Sequence, residues 1–559
     1  MWNQDWVKKL RVLRARGALA AFAMGAALLA GCGGESPGSA PGSIVSQAPP
    51  TVGSPSGETS QALVISQRGD ALTLDPYDEN ETPTFAVLTN IFDPLVDADD
   101  DLNLVPGLAE SWEAIDDTTW EFKLREGVVF HGGQPFTAED VVFSIDRAQN
   151  WPDSEAEAEI VTVAGSEAID AHTVRVTTHA PDPILLNRLT AILIMDKESS
   201  ESAIAAHGQA HMIDHPNGTG PYQLVEWVRD DHLTLRAFDD HWGGVPEIRE
   251  VIFRPISNDT SRLAALLAGD VHLITDVPVR DTRRIETTRG LKLLQRPSLR
   301  LIYLGLDCGR DESPGLPDSP PSPLLDRRVR EAIYLAIDEE SIVEHVMYGF
   351  AVPAGQLVPD TVFGYDPSIE RPPHDRERAR ELLAEAGFPD GFRVRLDGPN
   401  DRYVNDASIA EAIASQLARV GIQVDVSTRP KTIFFEDEEQ SECSMFLVGW
   451  SNSNGDASGT FEYLLHTNDP EKQLGGANSS TQYSNPVLDA HIQEAARTVD
   501  RGAREEIMHQ CMHIAMHDLP HVPLHYQIDL YGVVDRLQWD ARQDRRLRAF
   551  EMHWSEGQP

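Results

Sequence analysis

A chain of 559 residues, 41% of them hydrophobic, can bury a large core and is long enough for more than one lobe. Its 89 acidic against 47 basic residues leave a formal net charge of -42, which repels phosphate backbones and argues against nucleic acid as a partner. No P-loop, HExxH or EF-hand pattern occurs and paired carboxylates say little in so acidic a chain, so no enzyme activity and no cofactor are expected.

Taken in order, residues 1–31 read as a signal segment. Lys8, Lys9, Arg11, Arg14 and Arg16 precede the apolar run Gly17 to Ala30, which is too short to span a bilayer. Leu29-Ala30-Gly31-Cys32 resembles a bacterial lipobox, which implies cleavage before Cys32 and lipidation of its thiol as a membrane anchor. Residues 32–60, rich in Gly, Ser and Pro, cannot bury enough apolar surface to order themselves and read as a tether. Their Gly34-Glu35-Ser36-Pro37-Gly38 matches the GxSxG of serine hydrolases but lacks the strand and helix that motif needs.

Folded structure is expected from Ala62, with a strand to Ser66, the turn Leu74-Asp75-Pro76-Tyr77 and a helix over Phe85 to Ile91. Trp120 to Leu124 alternates like a strand. Thr137 and Asp140 can form a capping box for a helix whose Ala138, Val141, Val142 and Ile145 share one apolar face. Further on, Asn258 or Asp259 caps a helix ended by Gly269, and Leu299 to Asp307 reads as a strand. A Pro-rich interruption follows from Ser313 to Pro323, and Asp326 caps the helix after it. Phe392 to Leu396, Ser408 to Val420 and Ile422 to Val426 form a βαβ pattern, and Met445 to Gly449 is a strand.

Several of these strings carry a resemblance. Phe130-His131-Gly132-Gly133-Gln134-Pro135-Phe136-Thr137-Ala138-Glu139-Asp140-Val141 resembles the signature of the extracytoplasmic solute-binding proteins of family 5, the peptide and nickel receptors of ABC importers. Leu104 to Trp112, Gly218-Thr219-Gly220-Pro221-Tyr222 and Asp326 to Asp338 resemble further blocks of that family, so the likeness runs from about Ala62 to about Leu524.

The resemblance implies a two-lobed α/β periplasmic-binding-protein fold of type II, cluster C-like, with an extra subdomain in lobe one. The expected division is 61–302 for lobe one, with the subdomain over about 103–220, then 303–522 for lobe two and 523–559 returning to lobe one. It implies a monomer on the periplasmic or cell-surface side that captures peptides between the lobes and passes them to an ABC permease, with ATP hydrolysed by separate subunits. A nickel or other metal chelate is the alternative solute.

The ligand is expected against the loop after Met445 to Gly449, because open α/β folds place sites at strand ends. In peptide-binding relatives an Asp three residues beyond the Trp of this region pairs with the peptide amino terminus. Here that position is Ser453, and the nearest carboxylate is Asp456. Trp450, Asn452, Ser453, Asn454 and Asp456 are the expected contacts from lobe two and Tyr77 the one from lobe one. His509, His513 and His517 recur every four residues and could offer imidazoles to a metal, although solvated or core histidines on an amphipathic helix explain them more simply. Of Cys308, Cys443 and Cys511 at least one must be a free thiol.

Overall fold

The computed structural model describes residues 61–555 apart from 80, 153, 317–320, 453, 470–473 and 477. The signal segment, Cys32, the tether and Ser453 lie outside the described residues.

Lobe one opens with β1 (Leu63–Gln67) and α1 (Thr82–Ile91), which starts earlier than expected because Pro83 sits in its first turn, where a missing N–H costs nothing. The subdomain follows as β2 (Ala109–Asp116), β3 (Thr119–Leu124), α2 (Ala138–Asn150), β4 (Val163–Asp170) and β5 (Thr173–Thr178). Its sheet has the order β2-β3-β5-β4, antiparallel throughout. The expected capping box starts α2: Asp140 accepts from the Thr137 backbone N–H at 2.8 Å. Ala138, Val141 and Ile145 are buried.

The chain returns to the main sheet of lobe one with β6 (Tyr222–Val228), β7 (His232–Ala237) and β8 (Glu250–Pro255), then α3 (Asp259–Ala268) and β9 (Leu273–Ile274). Asn258 caps α3 and Gly269 ends it in the left-handed conformation, φ +80°.

Strand β10 (Leu291–Leu306) leads out of lobe one and is eight residues longer at its start than its apolar run suggests. Lobe two contains α4 (Arg327–Ala336), β11 (Arg393–Pro399), α5 (Asp406–Ala418), β12 (Gln423–Arg429), β13 (Met445–Ser451) and α6 (Arg501–Asp518). Strand β14 (His521–Val534) carries the chain back. One continuous sheet results, with order β12-β11-β13-β10-β14-β9-β1-β8-β7-β6.

The two long strands serve both lobes, and the packing of their side chains divides accordingly. Leu291 and Leu293 of β10 pack with Leu530 of β14 on the lobe-one core, whereas Leu299 to Leu306 and Val522 to Tyr526 pack on the two faces of lobe two. Residues 537–552 complete lobe one: Leu537, Trp539, Leu547 and Met552 join the core that contains Leu63, Phe92 and Phe130. The Asn90 side chain donates to the Leu547 carbonyl and accepts from the Ala549 N–H, both at 2.8 Å.

The family signature works structurally. His131 donates through Nε2 to the Gly220 carbonyl at 2.9 Å, and its backbone N–H donates to the Gly218 carbonyl at 2.9 Å. Gly220 in turn donates to Ile91 at the end of α1. Glycine is required there by close approach rather than by a left-handed backbone: a Cβ would lie 2.1 Å from the Ile91 oxygen at position 218 and 2.6 Å from its carbonyl carbon at 220. Burial drives the His131 imidazole down to about 4, which keeps it neutral in this turn.

Candidate functional site

Strand β13 ends at Ser451, and the loop after it is fixed largely by its own atoms. Asn452 is buried, donates to the Asp456 carbonyl at 2.7 Å and accepts from the Gly455 N–H at 2.9 Å. Asn454 accepts from the Asp456 N–H at 3.2 Å. The Trp450 indole donates to Thr460 Oγ1 at 3.1 Å and stacks on Tyr463, with ring centroids 4.4 Å apart and planes at 16°.

Asp456 is fully engaged inside lobe two. Arg504 of α6 grips both carboxylate oxygens, at 2.6 and 2.7 Å, with both side chains about 5% exposed. Ser458 donates to it as well, from its N–H at 3.0 Å and its hydroxyl at 2.6 Å. The carboxylate that the sequence offered for a ligand ammonium is therefore neutralised by an arginine 48 residues further along.

Tyr77, the expected contact from lobe one, is completely buried, and its hydroxyl donates to the Leu193 carbonyl at 2.7 Å. The turn that carries it is pinned by the buried pair Asp75–Arg147, which links it to α2. As placed here, Tyr77 is a core residue and not part of a cleft wall. Lobe one meets the loop elsewhere, where Asn187 donates to the Asn454 carbonyl at 2.9 Å and Leu102 lies against Gly455. Beside that contact, a space of about 10 Å³ lined by Leu102, Asn187, Asn454 and Arg546 has room for about one water.

The histidines of α6 each have a partner, and His509 and His513 both lie near Asp366. His509 Nε2 bonds the Tyr365 carbonyl at 3.1 Å, His513 Nε2 approaches Asp366 at 3.0 Å, and His517 Nδ1 approaches Asp518 at 2.9 Å. Leu519, in the left-handed conformation, ends the helix, so His521 and His525 lie on β14. Among the described residues no group of three or more His, Cys, Asp or Glu is arranged to hold a metal ion. Cys308, Cys443 and Cys511 are all free thiols.

One feature of the crossing between the lobes is not foreshadowed by any sequence motif. The ladder of β10 and β14 runs regularly to Pro297↔Ile528 and resumes at Leu301↔Tyr526, so Ser298, Leu299 and Arg300 stand opposite Gln527 alone. Such a bulge bends a strand and redirects its side chains. Arg300 pairs with Ser451 in the ladder with β13, one step from Trp450↔Leu301, and so stands at the start of the candidate loop.

A model of the bacterial extracellular solute-binding proteins, family 5, middle region, matches residues 103–472. The chain belongs to this family. Family 5 membership agrees with curated relatives: the glutathione-binding protein GsiB of Salmonella paratyphi A is 29% identical over 476 residues, 83% of this chain and 88% of the relative. Solved structures agree in fold. CtaP of Listeria monocytogenes superposes with a TM-score of 0.79 at 22% identity, over 89% of this chain and 100% of that one. DppA of Helicobacter pylori, in complex with the peptide STSA, gives 0.73 at 23% identity over 89% and 98%. NikZ of Campylobacter jejuni, in complex with nickel and histidine, gives 0.73 at 21% over 88% and 99%. As a member of family 5 the protein is a two-lobed solute-binding receptor of an ABC importer and not an enzyme.

Proposed function

We propose that this receptor takes peptides into the cleft between its lobes and delivers them to an ABC permease, held at the outer face of a membrane by lipid on Cys32. The observation that carries the reading is the hinge. Two lobes with separate cores share the strands β10 and β14, and both strands pass the same bulge. Closure of such lobes is driven only by contacts a solute makes better in the closed state. Trp450 at the end of β13 is half-buried and stacked on Tyr463 beside the loop, and Asn454 stands where the lobes meet. Peptide and glutathione binding by the similar proteins supports a peptide-like solute.

Calorimetry against di- to tetrapeptides and glutathione tests the solute class. Small-angle scattering with a saturating binder tests closure: the molecule should contract, and unchanged dimensions would refute the hinge. Cys32→Ala should release the protein from membranes, and retention would refute the anchor. The likeness to NikZ favours a metal chelate as the second reading, to which metal carried through purification would point.

A further inference from the structure

We infer that the turn around Leu102 is a latch between the lobes. With Asn187 and Gln543 it grips a socket made by residues 361–363 and 454–457 of lobe two, so that the protein's own atoms favour closure before a solute arrives. These residues thereby set affinity without touching the solute. The inference rests on the hinge reading above and adds the residues that tune it.

The first grip is the turn between the short strands Val96–Ala98 and Leu104–Pro106. The Asp99 carboxylate accepts from the backbone N–H groups of Asp101 at 3.0 Å and Asn103 at 2.8 Å, and the Leu102 N–H donates to the Asp99 carbonyl at 3.1 Å. This winding holds Leu102 at φ +68°, a conformation that costs a leucine energy and that Gly or Asn would adopt more easily. The leucine side chain does what glycine could not: it packs on the lobe-two cluster that contains Leu299, Val362, Ala457 and Phe461.

The socket is bare where the leucine arrives. Gly455 has φ +72°, and a Cβ there would lie 3.4 Å from both Cβ and Cδ1 of Leu102. The Phe363 N–H donates to the Gly455 carbonyl and the Ala457 N–H to the Phe363 carbonyl, both at 2.9 Å, which fixes residues 361–363 beside the loop. The Asp456–Arg504 pair braces the loop from inside lobe two.

Two further segments of lobe one reach the same socket. Asn187, on the short helix Leu185–Leu189, donates to the Asn454 carbonyl at 2.9 Å, and Arg188 beside it faces Glu462 of lobe two. Gln543, 3% exposed, donates from Nε2 to Thr361 Oγ1 at 2.6 Å. The Gln543 N–H also donates to the Asp100 carbonyl at 3.2 Å, so the closing segment and the Leu102 turn act as one piece. Arg296 of the hinge strand β10 donates to the same carbonyl at 2.8 Å and ties that piece to the pivot.

Each of these contacts joins two parts of one chain, so none needs a solute. Contacts made only when the lobes are together shift the balance between open and closed by their own free energy. Apparent affinity scales with the fraction of receptor already competent to bind. Losing the latch therefore weakens every solute by one common factor, whereas losing a residue that touches the solute weakens each by a different one.

The test uses the whole receptor as wild type, Leu102→Gly, Asn187→Ala and the double variant. Leu102→Gly removes the knob while relaxing the backbone beneath it, and thermal unfolding checks that all variants fold. In small-angle scattering without solute, the double variant should be larger than wild type. In calorimetry against glutathione and di- to tetrapeptides, its affinity should fall about threefold or more, by the same factor for every binder. Equal solute-free dimensions, unchanged affinities, or a factor that differs between binders overturns the latch and leaves the peptide reading standing. If no probe binds, the peptide reading fails and the solute-free scattering alone decides the latch.

Discussion

Asp456→Asn changes one atom at a buried pair and should cost far more than a surface change. Asp456 accepts two short charge-assisted hydrogen bonds from Arg504 and two more from Ser458. Asparagine keeps one acceptor oxygen but turns an NH2 towards the other guanidinium nitrogen, leaving a buried cation without its counter-charge. Breaking a buried pair from one side costs about 3–5 kcal/mol. Arg504 keeps its bond to the Ala495 carbonyl at 3.1 Å, so the lower part of that range, about 3 kcal/mol, is expected. Urea unfolding of wild type, Asp456→Asn, Arg504→Met and the double variant would measure it as a double-mutant cycle. The double variant should be more stable than Asp456→Asn alone, because it no longer buries an orphaned charge. If Asp456→Asn unfolded within about 1 kcal/mol of wild type, the carboxylate would be free for a ligand and the structural role argued here would be refuted.

Three further outcomes are expected. Gly218→Ala places a methyl against the Ile91 oxygen and should destabilise by about 1–3 kcal/mol, read as a lower thermal midpoint; an unchanged midpoint would show that α1 can retreat. Burial drives the His521 imidazole from 6.5 down to about 3, so below pH 6.5 the unfolded chain binds a proton that the folded chain refuses. Stability should then fall with pH at up to about 1.4 kcal/mol per unit, and His521→Phe should flatten urea midpoints between about pH 6.5 and 5; parallel curves would refute this. Burial pushes Cys308, Cys443 and Cys511 up to about 12, so the native protein should react with thiol reagents at pH 8 far more slowly than in urea, and equal rates would contradict that burial.

Local signals made much of the fold legible. The Thr137–Asp140 box, the Asn258 cap with Gly269, and the parallel pairing of β11 with β12 around α5 each follow from residues within a short window. The hinge was less legible. Lys292, Gln295, Arg296 and Pro297 interrupt the apolar pattern of β10, and Pro523 lies inside β14, yet both strands persist because each is paired along most of its length. Long-range partners were invisible. Nothing near Asp456 announces Arg504, and nothing near Tyr77 announces the Leu193 carbonyl. The glycines of Gly218-Thr219-Gly220 stood out in the sequence only as part of a family motif, whereas the structure needs them for the space they leave beside α1.

The closing of lobe one by residues 537–552 also bears on when the protein can fold. Asn90 waits for Leu547 and Ala549, more than 450 positions away, and Asp97 waits for Arg548. Strand β9 likewise has β14 as a neighbour, and β14 lies beyond all of lobe two. A chain emerging amino terminus first therefore cannot finish its first lobe until its second is already out. Contacts so distant in sequence form late and slowly. Much of the lobe-one core therefore stays uncommitted until the carboxy-terminal segment has been made.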